Sequence, residues 1–153
     1  MNDLPLIGLV FKATDFSKKP KSISKVFEFL PFSPTDFWDK GIEGRFANRK
    51  LKSRPGNSSW VYKEVFSYGI NLLIEDKLER FLLEFHTSKR DLLSVKHEEM
   101  EYNLEVHYSH EDVHNGLIFN RAVMTLIMEL EMDLGIYPIS KNVLQEQFNS
   151  DDR

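Results

Sequence analysis

The chain has no cysteine among its 153 residues. This absence excludes structural disulfides and thiolate metal sites, and it is compatible with a reducing cytosol. The chain also lacks any apolar run close to the roughly 18 residues that a membrane-spanning helix needs. Its first five residues, Met1 to Pro5, do not have the pattern of a secretory signal. We therefore expect a cytoplasmic protein with no membrane partner.

The common catalytic motifs are absent as well. There is no glycine-rich phosphate loop, no Gly-x-Ser-x-Gly elbow and no His-Glu-x-x-His pair. No serine or threonine is marked by its neighbours as an activated nucleophile. We therefore expect that the protein is not an enzyme and that it uses no cofactor.

The composition is that of a folded chain, with 41% hydrophobic and 29% charged residues. Its length predicts one domain spanning residues 1–153, with a core over residues 4–139 and a polar tail over residues 140–153. The formal charge of −4 is unevenly distributed: residues 1–75 carry 12 Lys and Arg against 8 Asp and Glu, and residues 76–153 carry 8 against 16. This asymmetry argues against a general affinity for nucleic acid and favours a basic partner.

Hydrophobic periodicity predicts both strands and helices. Residues 101–108 alternate polar and apolar side chains, which is typical of a strand with one buried and one solvated face. Asn120 is placed to cap a helix at its N-terminus. The predicted order is a strand at 4–13, a short helix ending at Leu30, a strand at 60–66, helices at 71–85 and 88–95, the strand at 101–108, a helix after Asn120 and a strand at 132–139. This order predicts an α+β two-layer sandwich, with a mostly antiparallel sheet, helices on one face and a tendency towards the ferredoxin-like arrangement.

A spaced pattern runs along these elements. Its points are the strand at 6–11, the helix that ends at Leu30, Pro34 with Trp38, Lys40 and Gly41, Ser59-Trp60, the helix at 71–85, the strand at 102–108, Gly116-Leu117 and the strand at 134–137. The pattern resembles the bacterial domain-of-unknown-function family numbered 4279, and it covers residues 4–139. The resemblance implies a cytoplasmic bacterial α+β domain without catalytic residues. Small acidic domains of this kind look like immunity proteins of contact-dependent or polymorphic toxin systems.

The functional hypothesis depends on an acidic strip along the predicted strand at 101–108. An acidic inhibitor would occlude the basic active site of a nuclease toxin and would associate with it rapidly. We therefore expect an immunity protein that binds the C-terminal domain of a cognate toxin. The expected partner-binding residues are Glu99, Glu101, Asn103, Glu105, His107, Glu111 and Asp112. The alternative interpretation of these side chains is an ordinary solvated face.

Two further clusters leave alternatives open. His107, His110 and His114 could bind a metal ion, but their spacing on a strand and loop does not make them converge, so we expect no metal site. The basic residues of segment 40–54 could contact phosphates, with Phe37, Trp38 and Phe46 as stacking surfaces. The alternative function is therefore a non-catalytic ligand-binding or nucleic-acid-binding module, although we expect nucleic acid to be an unlikely partner. The sequence does not indicate an oligomeric state.

Overall fold

The computed structural model describes residues 6–41, 45–46, 49–50, 56–67, 74–109 and 117–149. The largest unit is a five-stranded sheet formed by β1 (Leu6–Asp15), β2 (Asp36–Trp38), β5 (Ser58–Ser67), β6 (Met100–Ser109) and β7 (Met132–Ile139). The order of these strands across the sheet is β2-β5-β1-β6-β7. Two short strands, β3 (Arg45–Phe46) and β4 (Arg49–Lys50), pair with each other in a second, two-stranded sheet.

The central strand is β1, and its side chains divide the sheet into two faces. Ile7, Leu9 and Phe11 are fully buried on the face that carries the main hydrophobic core. The alternate residues Lys12 and Thr14 lie on the opposite face, which we call the back face, because successive strand side chains point to opposite sides. The antiparallel pairing of β1 with both β5 and β6 carries this division across the sheet.

Helices cover the core face, and their apolar stripes explain why. The helices are α1 (Ile23–Val26), α2 (Ile74–His86), α3 (Lys89–Val95) and α4 (Arg121–Glu129). In α2 the buried residues are Leu78, Phe81, Leu82 and Phe85, which recur at three- and four-residue spacing as a helix packed on a sheet requires.

Aromatic side chains fill the centre of this core. The ring of Phe11 lies 4.4 Å from that of Phe85 and 5.4 Å from that of Tyr102, measured between centroids. Trp60, which is 1% exposed, contacts Phe11 at 5.9 Å. The hydroxyl of Tyr102 donates to the carbonyl oxygen of Leu92 at 2.6 Å, which connects β6 to α3. Burial, assisted by the charge of Glu131, raises the pKa of the Tyr102 phenol, so this donor stays protonated at neutral pH.

The C-terminal segment corrects our expectation of a core that ends at residue 139. Residues of the expected polar tail form a helix, α5 (Lys141–Asn149), in which Leu144 is buried. This helix packs on β6, β1 and β5. The ring of Phe148 occupies the space over Gly8, on the back face, where a β-carbon would collide with it. One end of the back face is therefore covered.

The α+β two-layer architecture and the mostly antiparallel sheet are confirmed, and α5 is the one described helix that lies on the second face. The ferredoxin-like detail is different. In that arrangement a third strand separates the two parallel strands of each βαβ unit. Here α4 connects β6 to β7, and these two strands are parallel and adjacent. None of the described helices is long and apolar enough to cross a membrane.

Candidate partner-binding surface

The expected partner-binding residues lie on or just before β6. Glu99 is exposed in the turn that precedes the strand, and Glu101 is exposed at its start. Asn103 and Glu105 follow on the back face and are half-buried. Glu111 and Asp112 lie outside the described residues, as do His110 and His114 of the possible metal cluster.

Glu105 and His107 form a hydrogen-bonded pair within β6. Their side chains are two residues apart on the same face of the strand, and Glu105 Oε1 lies 2.9 Å from His107 Nε2. This hydrogen bond is the main reason that the pKa of Glu105 falls below its ordinary value of 4.5. Burial opposes the fall, and the charges of His107, Lys12 and Lys63 add to it. The Glu105 carboxylate is therefore compensated inside the protein.

His107 is not part of a solvated face, which corrects our expectation for this strand. The residue is only 9% exposed. The ring of Tyr137 stacks on its imidazole at 4.7 Å and 12°, and Phe148 meets it edge-on at 5.5 Å. Tyr137 comes from the neighbouring strand β7 and Phe148 from α5. A partner cannot reach most of this side chain while these two rings stay in place.

Carboxylates instead gather at the corner where β6 and β7 begin. The parallel register places Tyr102 beside Met132 and Asn103 beside Asp133, so the acidic residues at the two strand starts become neighbours. We call this group the acidic corner; all its members are exposed, and they are Glu98, Glu99, Glu101, Glu131 and Asp133. The corner extends across two strand starts, whereas the strip expected from the sequence followed a single strand.

The charges of the acidic corner are only partly compensated. Lys96 Nζ lies 3.5 Å from Glu131 Oε2 and donates to the Glu131 carbonyl oxygen at 3.1 Å. Within the described part of the chain, no other ion pair involves a member of the corner. Glu129 lies nearby at the end of α4, but His86 at 2.7 Å and Lys89 at 3.9 Å pair with it. The corner therefore keeps a local excess of negative charge.

A polar hollow of about 270 Å³ lies beside the corner on the back face. Its lining residues are Lys12, Thr14, Phe16, Glu101, Asn103, Glu105, Gly135 and Tyr137. Lys12 also lies over the ring of Trp38, at 5.6 Å from the centroid. The hollow contains a positively charged donor, Lys12, and negatively charged acceptors, Glu101 and Glu105, so it is suited to hydrogen bonding with a polar partner surface.

Sequence reasoning missed the contribution of β7 to this surface. Asp133 of β7 and Glu131 just before this strand belong to the acidic corner, while Ile136 and Tyr137 of β7 are 45% and 44% exposed. The acidic excess of residues 76–153 was a signal for the corner. Only the parallel pairing of β6 with β7 brings the two groups together, and no local pattern predicts that pairing.

The other two clusters lie mostly outside the residues that the structure describes. Trp60 is a core residue, and Lys40 Nζ donates to the carbonyl oxygens of Ser17 and Lys18, both at 3.3 Å. Arg45 pairs with Lys50 in register, but most of segment 42–55 lies outside the described residues. Among the residues that the structure describes, no group of three or more histidine and carboxylate side chains could hold a metal ion.

The comparisons with known proteins do not assign a function to this surface. No family model, no curated protein and no solved structure matches the chain. The geometry of the acidic corner and of the back face is therefore the basis for a functional proposal.

Proposed function

We propose that this protein is an immunity protein, which neutralises a cognate toxin domain by stoichiometric binding and carries out no chemistry of its own. The observation that supports the proposal is the acidic corner beside the exposed apolar side chains of β7. An apolar centre with a polar rim is the usual anatomy of a specific protein interface, and carboxylates in that rim favour a partner of positive charge. The resemblance described above gives the toxin as the partner.

The charge distribution favours a basic partner, and a nuclease domain fits this description because its active site is basic. Nucleases use lysine and arginine to hold phosphates, so an acidic surface would occupy the same cations and exclude the substrate. Long-range attraction to the acidic corner would accelerate encounter, and the acceleration would fall with ionic strength. Ile136 and Tyr137 would then supply contacts that slow dissociation.

The test is capture of a partner from the native cell lysate, followed by a protection assay. We expect the chain to retain one protein domain in a 1:1 complex, and expression of that domain alone to arrest growth. Co-expression of the chain should restore growth. A captured domain that is harmless, or whose toxicity the chain does not relieve, would contradict the proposal.

Charge reversal identifies the surface. Glu101→Lys with Asp133→Lys should slow association at low salt and weaken its salt dependence. The matched control is Asp76→Lys with Glu146→Lys, two exposed carboxylates on α2 and α5 that change the net charge equally. If the two double variants associate at the same rate, the acidic corner is not the contact surface.

A second candidate is the ligand-binding or nucleic-acid-binding module that uses residues 40–54. The observation in its favour is the β3–β4 ladder, which places Arg45 directly opposite Lys50 and puts Arg49 in the same two-stranded unit. A mobility shift of RNA that falls with salt and disappears in an Arg45→Gln, Arg49→Gln, Lys50→Gln variant would favour this module. Unchanged RNA binding by that variant would exclude the β3–β4 ladder as the RNA contact.

A further inference from the structure

The two edges of the sheet differ in how well they resist addition of another strand. An edge strand exposes unpaired backbone donors and acceptors, and natural proteins protect such edges by shortness, charge or proline. The edge strand β2 has only 3 residues. The other edge strand, β7, is longer at 8 residues and exposes Ile136 and Tyr137; its protective residues are Asp133 near the start and Pro138 near the end, which leaves the segment between them open. Within the described residues, only β6 pairs with β7.

Pro138 indicates which amides of β7 face outward. Proline has no N–H, so an edge strand accommodates it with its nitrogen directed away from the sheet. Backbone groups alternate sides along a strand. The N–H groups of Leu134 and Ile136 are then directed outward, while those of Asp133, Gly135 and Tyr137 are directed to β6. The outer edge therefore offers at least two consecutive pairing positions.

The side chains along this edge are apolar on one side and acidic on the other. On the core face, Ile136 is exposed, and α4 packs on β7 while leaving Met124 39% and Met128 73% exposed. Glu129 of α4 reaches His86 of α2, so helical periodicity directs the two methionines to the flank away from α2. On the back face, Asp133 is exposed and Glu101 lies on the adjacent strand.

We propose that β7 is the docking edge for an extended strand of a basic partner, which adds to the sheet as a sixth strand. The partner strand would alternate apolar side chains, which cover Ile136 and Met128, with lysine or arginine facing Asp133 and Glu101. Main-chain hydrogen bonds supply affinity in this mode, and the alternating side chains supply specificity. The inference rests on the proposed function, because it specifies how the toxin domain is held.

A second copy of this chain is a poorer occupant of the same edge. The sequence of β7, MDLGIYPI, has no cation to face Asp133. Two copies would also bring together surfaces that share a net charge of −4 and an acidic corner. Charge complementarity therefore selects a basic strand from another protein.

The probe is a synthetic peptide of the same length as β7, 8 residues, that alternates lysine and valine. Its control has proline in place of the two central valines, which preserves the charge and, in a strand that adds antiparallel to β7, removes amide donors directed to Ile136 and its neighbours. Binding is followed by amide hydrogen exchange and by backbone NMR shifts of the full chain. Because this probe does not require the natural partner, the edge is tested separately from the immunity function.

We expect the alternating peptide to protect the amides of Leu134 and Ile136 and to bind about tenfold more tightly than the proline peptide. Ile136→Lys should abolish this binding. Its matched control is Leu83→Lys on α2, because Leu83 and Ile136 are each 45% exposed. Far-UV circular dichroism and thermal unfolding establish that both variants are folded.

Several outcomes would overturn the proposal. Equal binding of the two peptides would indicate attraction by charge alone, and absence of binding would show that the edge does not accept a strand. Protection of Leu134 and Ile136 that rises with protein concentration, without peptide, would assign the edge to a second copy. If a toxin domain is captured and the Ile136→Lys variant binds it as tightly as the parent chain does, strand addition at β7 is rejected. The proposed immunity function would still stand in that case.

Discussion

Asn120 illustrates how one side chain determines where a helix begins. Its Oδ1 accepts a hydrogen bond from the Val123 backbone N–H at 2.9 Å, which satisfies one of the unpaired donors in the first turn of α4. We expect Asn120→Ala to lower the free energy of unfolding by about 1 kcal/mol, and Asn120→Asp to restore most of it. Chemical denaturation measures both changes.

The control for this substitution is Thr125→Ala, which changes an exposed residue of the same helix. Alanine has the higher helix propensity, so this variant should match or slightly exceed the stability of the parent chain. An equal loss in both variants would show that the cap contributes no more than a surface position.

Glu105 should make stability depend on pH. Its pKa in the folded protein is held below the ordinary value of 4.5, chiefly by the hydrogen bond to His107. The folded state therefore binds fewer protons than the unfolded state just below pH 4.5, and the free energy of unfolding falls as the pH drops through this window. Asp15 acts in the same direction: hydrogen bonds from Ser17 and His97 outweigh burial and lower its pKa.

We expect Glu105→Gln to weaken the acid dependence without removing it, because Asp15 still contributes. Urea denaturation at a series of pH values from 7 down to about 3 measures the slope. Direct titration of the Glu105 carboxyl carbon by NMR gives the pKa independently. A variant whose stability profile runs parallel to that of the parent chain at every pH would contradict the role of the Glu105–His107 pair.

At the scale of elements, the contact of α5 with the back face rests on a close fit between Phe148 and Gly8. The ring occupies the position that a β-carbon at residue 8 would take. We expect Gly8→Ala to destabilise the chain by about 1–3 kcal/mol, as overpacking does. Phe148→Ala should cost about 2 kcal/mol, because the half-buried ring loses its apolar contacts.

A double-mutant cycle separates this fit from unrelated effects. In the Phe148→Ala background the space over residue 8 is open, so Gly8→Ala should be nearly neutral, and the coupling energy should be about 1–2 kcal/mol. Chemical denaturation of the four chains measures it. Additive effects of the two substitutions would show that Phe148 does not rest on Gly8.

Local sequence patterns correctly predicted those elements whose structure depends on residues close by in the sequence. The alternation of residues 101–108 matches the burial of Tyr102, Leu104 and Val106, and the Asn120 cap was predicted from one side chain. The position of α5 was not predictable in this way. Its segment has few apolar residues, and Leu144 and Phe148 acquire their roles only from a surface formed by strands distant in sequence.

The candidate surface also combines residues that local sequence predicts with residues whose position depends on distant strands. Glu99, Glu101 and Asn103 were predicted, because one strand and the turn before it present them. Asp133 and Ile136 were not, because their position beside these residues depends on the crossover from β6 through α4 to β7. A parallel neighbour requires a long connection, and the sequence of either strand does not specify its partner.

At the scale of the whole molecule, one connected hydrophobic core joins β1, β5, β6 and β7 to the four helices of the core face. A chain whose elements share one core should unfold in a single cooperative transition. The chain has two tryptophans, and Trp60 lies inside this core at 1% exposure. A Trp38→Phe variant therefore leaves Trp60 as the single tryptophan, and its emission, excited selectively, reports on the packing of the sheet against the helices.

We expect the fluorescence of Trp60 and the far-UV circular dichroism to follow the same urea curve, with one midpoint and one slope. Coincident curves would mean that the helices leave the sheet only when the whole core opens. The candidate partner-binding surface would then lose its structure only when the core unfolds. A loss of circular dichroism signal at a lower urea concentration than the change in Trp60 fluorescence would instead identify a helical unit that unfolds independently. That result would contradict the single-domain organisation. Repeating the measurement in the Phe148→Ala variant would show whether this unit is α5.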